Sequence, residues 1–273
     1  MTPTPLRIIH PTDFSENSQR AFAHALKLAL VTKGDLFLLH VEPHKTDKPH
    51  WSDFPHVRET LEKWNVLPEG APREQVQELA GIQVAKFDLI DRNIAHATAQ
   101  FTSQYGGDML VLGTQGRSGF SRWVAGSKAE DIFQATKMAT LFISEHAGGF
   151  VDVDTGTLTL RKIIVPIDHK PNPDRAVREI VRLLAPLGPA PNSVHLIHAG
   201  EDAPQVSTGS GSGSPVRCVP GPVVPAILDE AADADLIAMV TAGHHGLLDA
   251  LRGSTTEQVI RQADCPVLAL AAH

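Results

Sequence analysis

Leu6-Arg-Ile-Ile-His-Pro11-Thr-Asp13 returns later in the chain as Arg161-Lys-Ile-Ile-Val-Pro166-Ile-Asp168, at an offset of 155 residues. Each copy is a short apolar run ending in a polar turn with an acid. Further matches follow in the same order. Leu36-Phe-Leu-Leu-His-Val41 pairs with Val194-His-Leu-Ile-His198, and Met109-Leu-Val-Leu112 with Asp235-Leu-Ile-Ala-Met-Val240. Gly113-Thr-Gln-Gly116 pairs with Gly243-His-His-Gly246 at an offset of 130, and Thr140-Leu-Phe-Ile143 with Cys265-Pro-Val-Leu-Ala-Leu270. The chain is an internal duplication, and a duplicated unit is read once and applied twice.

Within the first copy, apolar runs alternate with stretches of helical spacing. Phe14 to Val31 carries apolar residues at 22, 25, 26, 28, 29 and 30, with Ser15 placed to cap its start and Gly34 just past its end. Helices are also expected over 55–67, 92–105 and 127–137, and strands over 82–89 and 140–143. Strands alternating with helices give a parallel sheet covered on both faces, and continuous apolar runs suit strands buried on both sides. The fold class is α/β: two tandem doubly wound domains, each a five-stranded parallel sheet of order 3-2-1-4-5. Domain 1 spans 1–146, a linker with Gly148-Gly149 and alternating Asp spans 147–160, and domain 2 spans 161–273. The fall in offset from 155 to 130 means that the second copy is 25 residues shorter before its glycine loop. The loss falls around 199–216, where Val206-Ser-Thr-Gly-Ser-Gly-Ser-Gly-Ser214 replaces helix.

The segment Gly113-Thr-Gln-Gly116-Arg-Ser-Gly-Phe-Ser-Arg-Trp-Val-Ala-Gly126-Ser127 joins a buried strand to a helix. Glycine lets a backbone approach a phosphate, and the first helical N–H groups point at the anion with the dipole behind them. Arg117, Arg122 and Lys128 add positive charge. The spacing is Gly, two residues, Gly, nine residues, Gly-Ser, which is neither a Walker A loop nor a Rossmann fingerprint. A glycine-rich turn with no ligand is the competing reading.

Topology turns this loop into a constellation. In an open parallel sheet the ligand sits beyond the carboxyl ends of the strands, where the order reverses. With order 3-2-1-4-5, Asp13 and Gly113 close neighbouring strands at that point, and Val41 closes the next. A carboxylate accepts from an exocyclic amine or a ribose hydroxyl, and backbone near Val41 can pair with a base edge.

These residues carry a resemblance to the universal stress protein family. Ile8-Ile-His-Pro11-Thr-Asp13-Phe-Ser15 resembles its opening strand and turn, Leu38-Leu-His-Val41 its second strand, and Cys265-Pro-Val-Leu its closing strand. The loop from Gly113 to Ser127 is similar to its ATP-binding loop, without a gap, and the likeness covers nearly the whole chain as two tandem copies. The resemblance implies that Asp13, flanked by Pro11 and Thr12, and the Val41 backbone contact adenine, with Gly113 near the ribose. It implies phosphates held by Gly116, Gly126 and Ser127, beside Arg117 and Lys128, with Mg2+ or Mn2+ on the triphosphate of ATP. Some members of the family label themselves with phosphate, so Ser118, Ser121 and Ser127 are weighed as acceptors against plain loop or cap hydroxyls. The second copy departs: Ala199 stands at the Val41 position, and only six residues separate Gly246 from Gly253-Ser254.

Composition limits the rest. A formal charge of −7 argues against a broad nucleic-acid surface. No apolar run reaches membrane-spanning length, no signal peptide is visible, and Cys218 and Cys265 are too few for a disulfide framework. A cytoplasmic protein is the expectation. His244-His245, and His195 with His198 on opposite faces of a strand, do not suggest a metal site. Trp51, Phe54 and Trp64 read as core or partner-facing. A general base for hydrolysis is not evident, so binding that alters association with a protein partner is expected, with slow ATP hydrolysis or autophosphorylation as the most an enzyme reading allows. An interaction module with vestigial sites is the alternative. Both a monomer and a homodimer fit the duplication.

Overall fold

The computed structural model describes residues 5–44, 51–114, 127–144, 147–190, 192–207, 215–241 and 254–272. The first copy contains β1 (Arg7–Pro11), α1 (Glu16–Thr32), β2 (Asp35–Glu42), α2 (Val57–Lys63), a π-helical turn (Val76–Ala80), β3 (Gln83–Ile90), α3 (Ile94–Tyr105), β4 (Met109–Thr114), α4 (Ser127–Thr136) and β5 (Ala139–Ser144). The second contains β6 (Ile163–Pro166), α5 (Pro173–Leu184), a 3-10 turn (Ala185–Leu187), β7 (Val194–Ala199), β8 (Val216–Val219), α6 (Val223–Glu230), β9 (Leu236–Thr241), α7 (Thr255–Gln262) and β10 (Val267–Ala271).

The strands form one ten-stranded sheet of order β3-β2-β1-β4-β5-β10-β9-β6-β7-β8. Each half has the expected 3-2-1-4-5 order. All pairs within a half are parallel, and β5 meets β10 antiparallel, with Leu141 opposite Leu268. The halves therefore join through their last strands, which removes two sheet edges that would otherwise present unpaired backbone groups.

Successive strand residues go to opposite faces. Ile8, Leu38, Met109 and Val111 pack on one face with α1, while Ile9, Leu39, Leu110 and Leu112 pack on the other with Phe101 of α3 and Ile132 of α4. Each of these apolar layers continues into the second copy, through Ile163 and Val165 on one face and Ile164 and Ile237 on the other. Fully burying such side chains stabilises by roughly 1.5–3 kcal/mol each.

The stretch joining the copies packs onto the first. Phe150 and Val151 are buried, and Val151 pairs with Leu158 as an isolated antiparallel bridge. The His24 ring of α1 accepts from the N–H of Phe150 and of Val151 at 3.1 and 3.3 Å. Trp64 Nε1 donates to the Val153 carbonyl at 3.1 Å. Gly149 and Gly156 both have positive φ, and a Cβ at either would lie 2.6 Å from His24 Cε1 or 2.4 Å from the Trp64 ring. Trp64 and Phe54 are core residues, while Trp51 is half exposed.

Candidate functional site

Strands β1 and β4 pair only at Ile8 with Met109 and Ile9 with Leu110. Beyond Ile9 the ladder gives way to a side chain: His10 is fully buried, and its Nδ1 donates to the Val111 carbonyl at 2.9 Å. Burial pushes the His10 pKa down to about 4, so the ring is neutral with its proton on Nδ1. Its Nε2 then accepts from Ser18 Oγ at 3.3 Å. Ser18 Oγ accepts in turn from Thr12 Oγ1 at 2.8 Å, and Thr12 Oγ1 accepts from the Phe14 N–H at 3.1 Å. This directional chain locks the turn that presents Asp13.

Asp13 Oδ1 accepts from the N–H and hydroxyl of Ser15 at 3.1 and 2.6 Å, and Oδ2 makes no hydrogen bond among the described residues. Ser15 caps α1 as expected, accepting from the Ser18 N–H at 3.2 Å. Phe14, at φ 63°, stacks on His40 with ring centroids 4.2 Å apart, and His40 Nδ1 donates to the Thr12 carbonyl at 3.0 Å.

The second strand ends beside this turn. The Thr12 N–H donates to the Leu39 carbonyl at 2.7 Å, so Leu39 faces β1. Backbone groups two residues apart project to the same side of a strand. Those of Val41 therefore face the β1 side, past Pro11, the last β1 residue in the ladder. The Val41 side chain is buried.

Gly113 lies near the end of β4, against the first turn of α1. A Cβ there would stand 3.1 Å from Asn17 Nδ2 and 3.3 Å from the Asn17 carbonyl. Close helix–strand approach thus gives this glycine a packing reason of its own. Asn17 Nδ2 donates to the Thr114 carbonyl at 2.8 Å, while its buried Oδ1 has no partner among the described residues. Pro11, Thr12, Asp13, Val41 and Gly113 thus gather at the carboxyl ends of three adjacent strands. Gly116, Arg117 and Gly126 lie outside the described residues, as do Ser118 and Ser121. Ser127 begins α4, and Lys128 is exposed in its first turn.

Sequence reading missed His10, Asn17, Ser18 and the Phe14–His40 stack. One signal was available: a histidine inside an otherwise apolar strand needs two hydrogen-bond partners.

The second copy repeats the backbone without the buried polar chain. The Ile167 N–H donates to the Ile197 carbonyl at 2.8 Å, and β6 pairs β9 only at Ile163 and Ile164. Val165, Ile167 and Pro173 stand where the first copy has His10, Thr12 and Ser18. Ser254 caps α7 by accepting from the Glu257 N–H at 3.1 Å, so its hydroxyl has a structural role.

The family model of the universal stress protein family matches residues 6–143 and 197–271, more than half of the chain. The chain belongs to the universal stress protein family. Two solved structures cover nearly all of it. A universal stress protein from Archaeoglobus fulgidus DSM 4304 is 23% identical with a TM-score of 0.62, over 97% of this chain and 98% of that one. A functionally unknown protein from Pseudomonas aeruginosa PAO1 is 15% identical with a TM-score of 0.61, over 98% and 92%. At these identities the likeness is one of fold. No curated protein matches the chain. As a universal stress protein the chain is of tandem type, with both copies in one sheet. No described helix is long and apolar enough to cross a membrane.

Proposed function

We propose that this tandem universal stress protein binds ATP in its first copy, with Mg2+ or Mn2+ on the triphosphate, and acts as a stress-response regulator whose occupancy alters association. The observation that carries this is the pairing of Asp13 Oδ2, which makes no hydrogen bond among the described residues, with Val41 backbone groups that project past the end of β1. That combination fits adenine, which offers an exocyclic donor beside ring acceptors. Asp13 and Val41 select the base and Gly113 stands by the ribose. Gly116, Arg117, Gly126, Ser127 and Lys128 hold the phosphates, as the sequence spacing supports. The cation screens the triphosphate charge.

Binding rather than turnover is the favoured behaviour. His10, the imidazole nearest Asp13 in sequence, is buried and engaged at both nitrogens, so it has no lone pair for an attacking water. Nucleotide acts here by favouring one association state over another. The test is denaturing release and chromatography of nucleotide from the purified chain, followed by titration with ATP and Mg2+. Binding of ATP in preference to GTP supports the assignment of Asp13 and Val41 to adenine. Equal affinity for the two removes it.

A further inference from the structure

Aligning the two copies shows one replacement that changes chemistry. Phe14, stacked on His40, becomes His169, whose ring meets His198 edge-on with centroids 5.5 Å apart. The acid before it is kept, as Asp13 and Asp168. One ligand atom from each of Asp168, His169 and His198 lies within 4.8 Å of the other two. The first copy, with phenylalanine at the middle position, cannot form this set.

The surroundings are those of oriented ligands. His198 is buried, and its Nδ1 donates to the Ile167 carbonyl at 3.0 Å, as His40 does to Thr12. His169 Nε2 donates to the Asp202 carbonyl at 2.8 Å. Each ring thus has one nitrogen fixed by a backbone carbonyl, and His198 Nε2 and His169 Nδ1 make no hydrogen bond among the described residues. Asp168 Oδ1 accepts from the His169 N–H at 2.7 Å and lies 3.9 Å from His198 Nδ1, so its exposed carboxylate stands beside the His198 ring to complete the set. A carbonyl on one imidazole nitrogen fixes the tautomer and leaves the other nitrogen as a lone-pair donor. Gly200 stands where the first copy has Glu42, and a Cβ there would come within 2.8 Å of His198 Nε2, so glycine keeps that nitrogen clear. Asp168 and His198 line a crevice of about 440 Å3 that also touches Ala199, Thr241 and Ser254. The site is therefore reachable from solvent.

We propose that the second copy carries a site for a divalent transition metal of the zinc class, held by Asp168, His169 and His198, at the strand ends where the first copy presents Asp13. Two imidazoles and one carboxylate suit zinc, cobalt(II) or nickel(II), and not magnesium or calcium, which favour all-oxygen shells. Three protein ligands leave a coordination position open toward the crevice. The Lys170 side of the same crevice favours an anion or hydroxide there over a further cation.

The experiment uses the full, tag-free chain, stripped of metal and free of nucleotide, titrated with Zn2+ by calorimetry and with Co2+ by absorption. One Zn2+ per chain is expected, with Co2+ giving the visible bands of a low-coordinate nitrogen–oxygen site and Mg2+ giving no comparable heat. His169→Phe restores the first copy's residue and should keep the unfolding midpoint while weakening Zn2+ by about 100-fold. Asp168→Asn should weaken it with the fold intact. Equal Zn2+ affinity in wild type and His169→Phe would place any bound zinc on other histidines and overturn the proposal. So would the absence of a Zn2+ heat in the wild type, or Mg2+ binding as tightly as Zn2+.

Discussion

At the scale of single residues, the first copy's crevice depends on which polar atoms are already satisfied. Asp13 Oδ1 is engaged by Ser15, and Oδ2 makes no hydrogen bond among the described residues. Asp13→Ala is expected to weaken ATP by about 10- to 100-fold, the range for losing a hydrogen bond to a charged group. Ser15 still caps α1 in that variant, so the unfolding midpoint should barely move; unchanged ATP affinity by calorimetry would remove Asp13 from the site. The two buried histidines make a second residue-scale prediction. Burial pushes His10 and His24 from the ordinary imidazole value of 6.5 down to about 4. Each is neutral in the folded protein and takes a proton more readily when unfolded. Their contribution is therefore fully present above pH 6.5 and lost as pH falls toward 4. Between pH 7 and pH 5 urea unfolding should show a loss of about 2 kcal/mol for each. His24→Gln should flatten part of that slope, and an identical slope in the variant would contradict the assignment.

At the scale of elements, much was legible in the sequence. Apolar periodicity located α1 and its Ser15 cap, because a helix face and a capping oxygen are local properties. The continuous apolar runs at Leu36–Val41 and Met109–Leu112 gave strands buried on both faces. The polar chain from Val111 through His10 and Ser18 to Thr12 was not legible, since it joins strands about a hundred residues apart and its histidine reads as core. The packing of 147–160 was not legible either: Gly148-Gly149 and the aspartates look like a linker, although Phe150, Val151 and Leu160 are buried. The His169 cluster was not legible either, since it joins β7 to the turn after β6 and no spacing within one strand or loop marks it. The joining stretch yields a prediction of its own. Gly149→Ala puts a Cβ 2.6 Å from the His24 ring, at a φ of 70° that L-residues rarely adopt. It should lower stability by about 1–3 kcal/mol in urea unfolding, and a neutral result would mean that the His24 contact does not hold this stretch.

At the scale of the whole molecule, the duplication is two unequal halves of one sheet. Across their junction Arg261 of α7 bonds Glu130 of α4 at 3.2 and 3.3 Å and Glu257 at 2.6 Å. Both acids are buried, and burial raises the Glu130 pKa against the pull of Arg261. Arg261→Met would remove the guanidinium that Glu130 and Glu257 share. A loss of about 2–3 kcal/mol is expected, below the figure for a fully buried pair because Arg261 is half exposed. Raising the pH should deepen that loss by ionising Glu130, which unfolding at pH 5 and pH 8 would check. The halves also differ in the residues they place at their strand ends. The first keeps the long glycine loop and the braced Asp13 turn, and the second exchanges Phe14 for His169 and shortens its loop.

The most direct test is therefore the stoichiometry of adenine nucleotide on the intact chain, by release from purified protein and by titration with ATP and Mg2+. About one nucleotide per chain, lost in Asp13→Ala and kept in His169→Phe, is the predicted result. Two per chain, or none under saturating ATP and Mg2+, would contradict a single nucleotide site in the first copy.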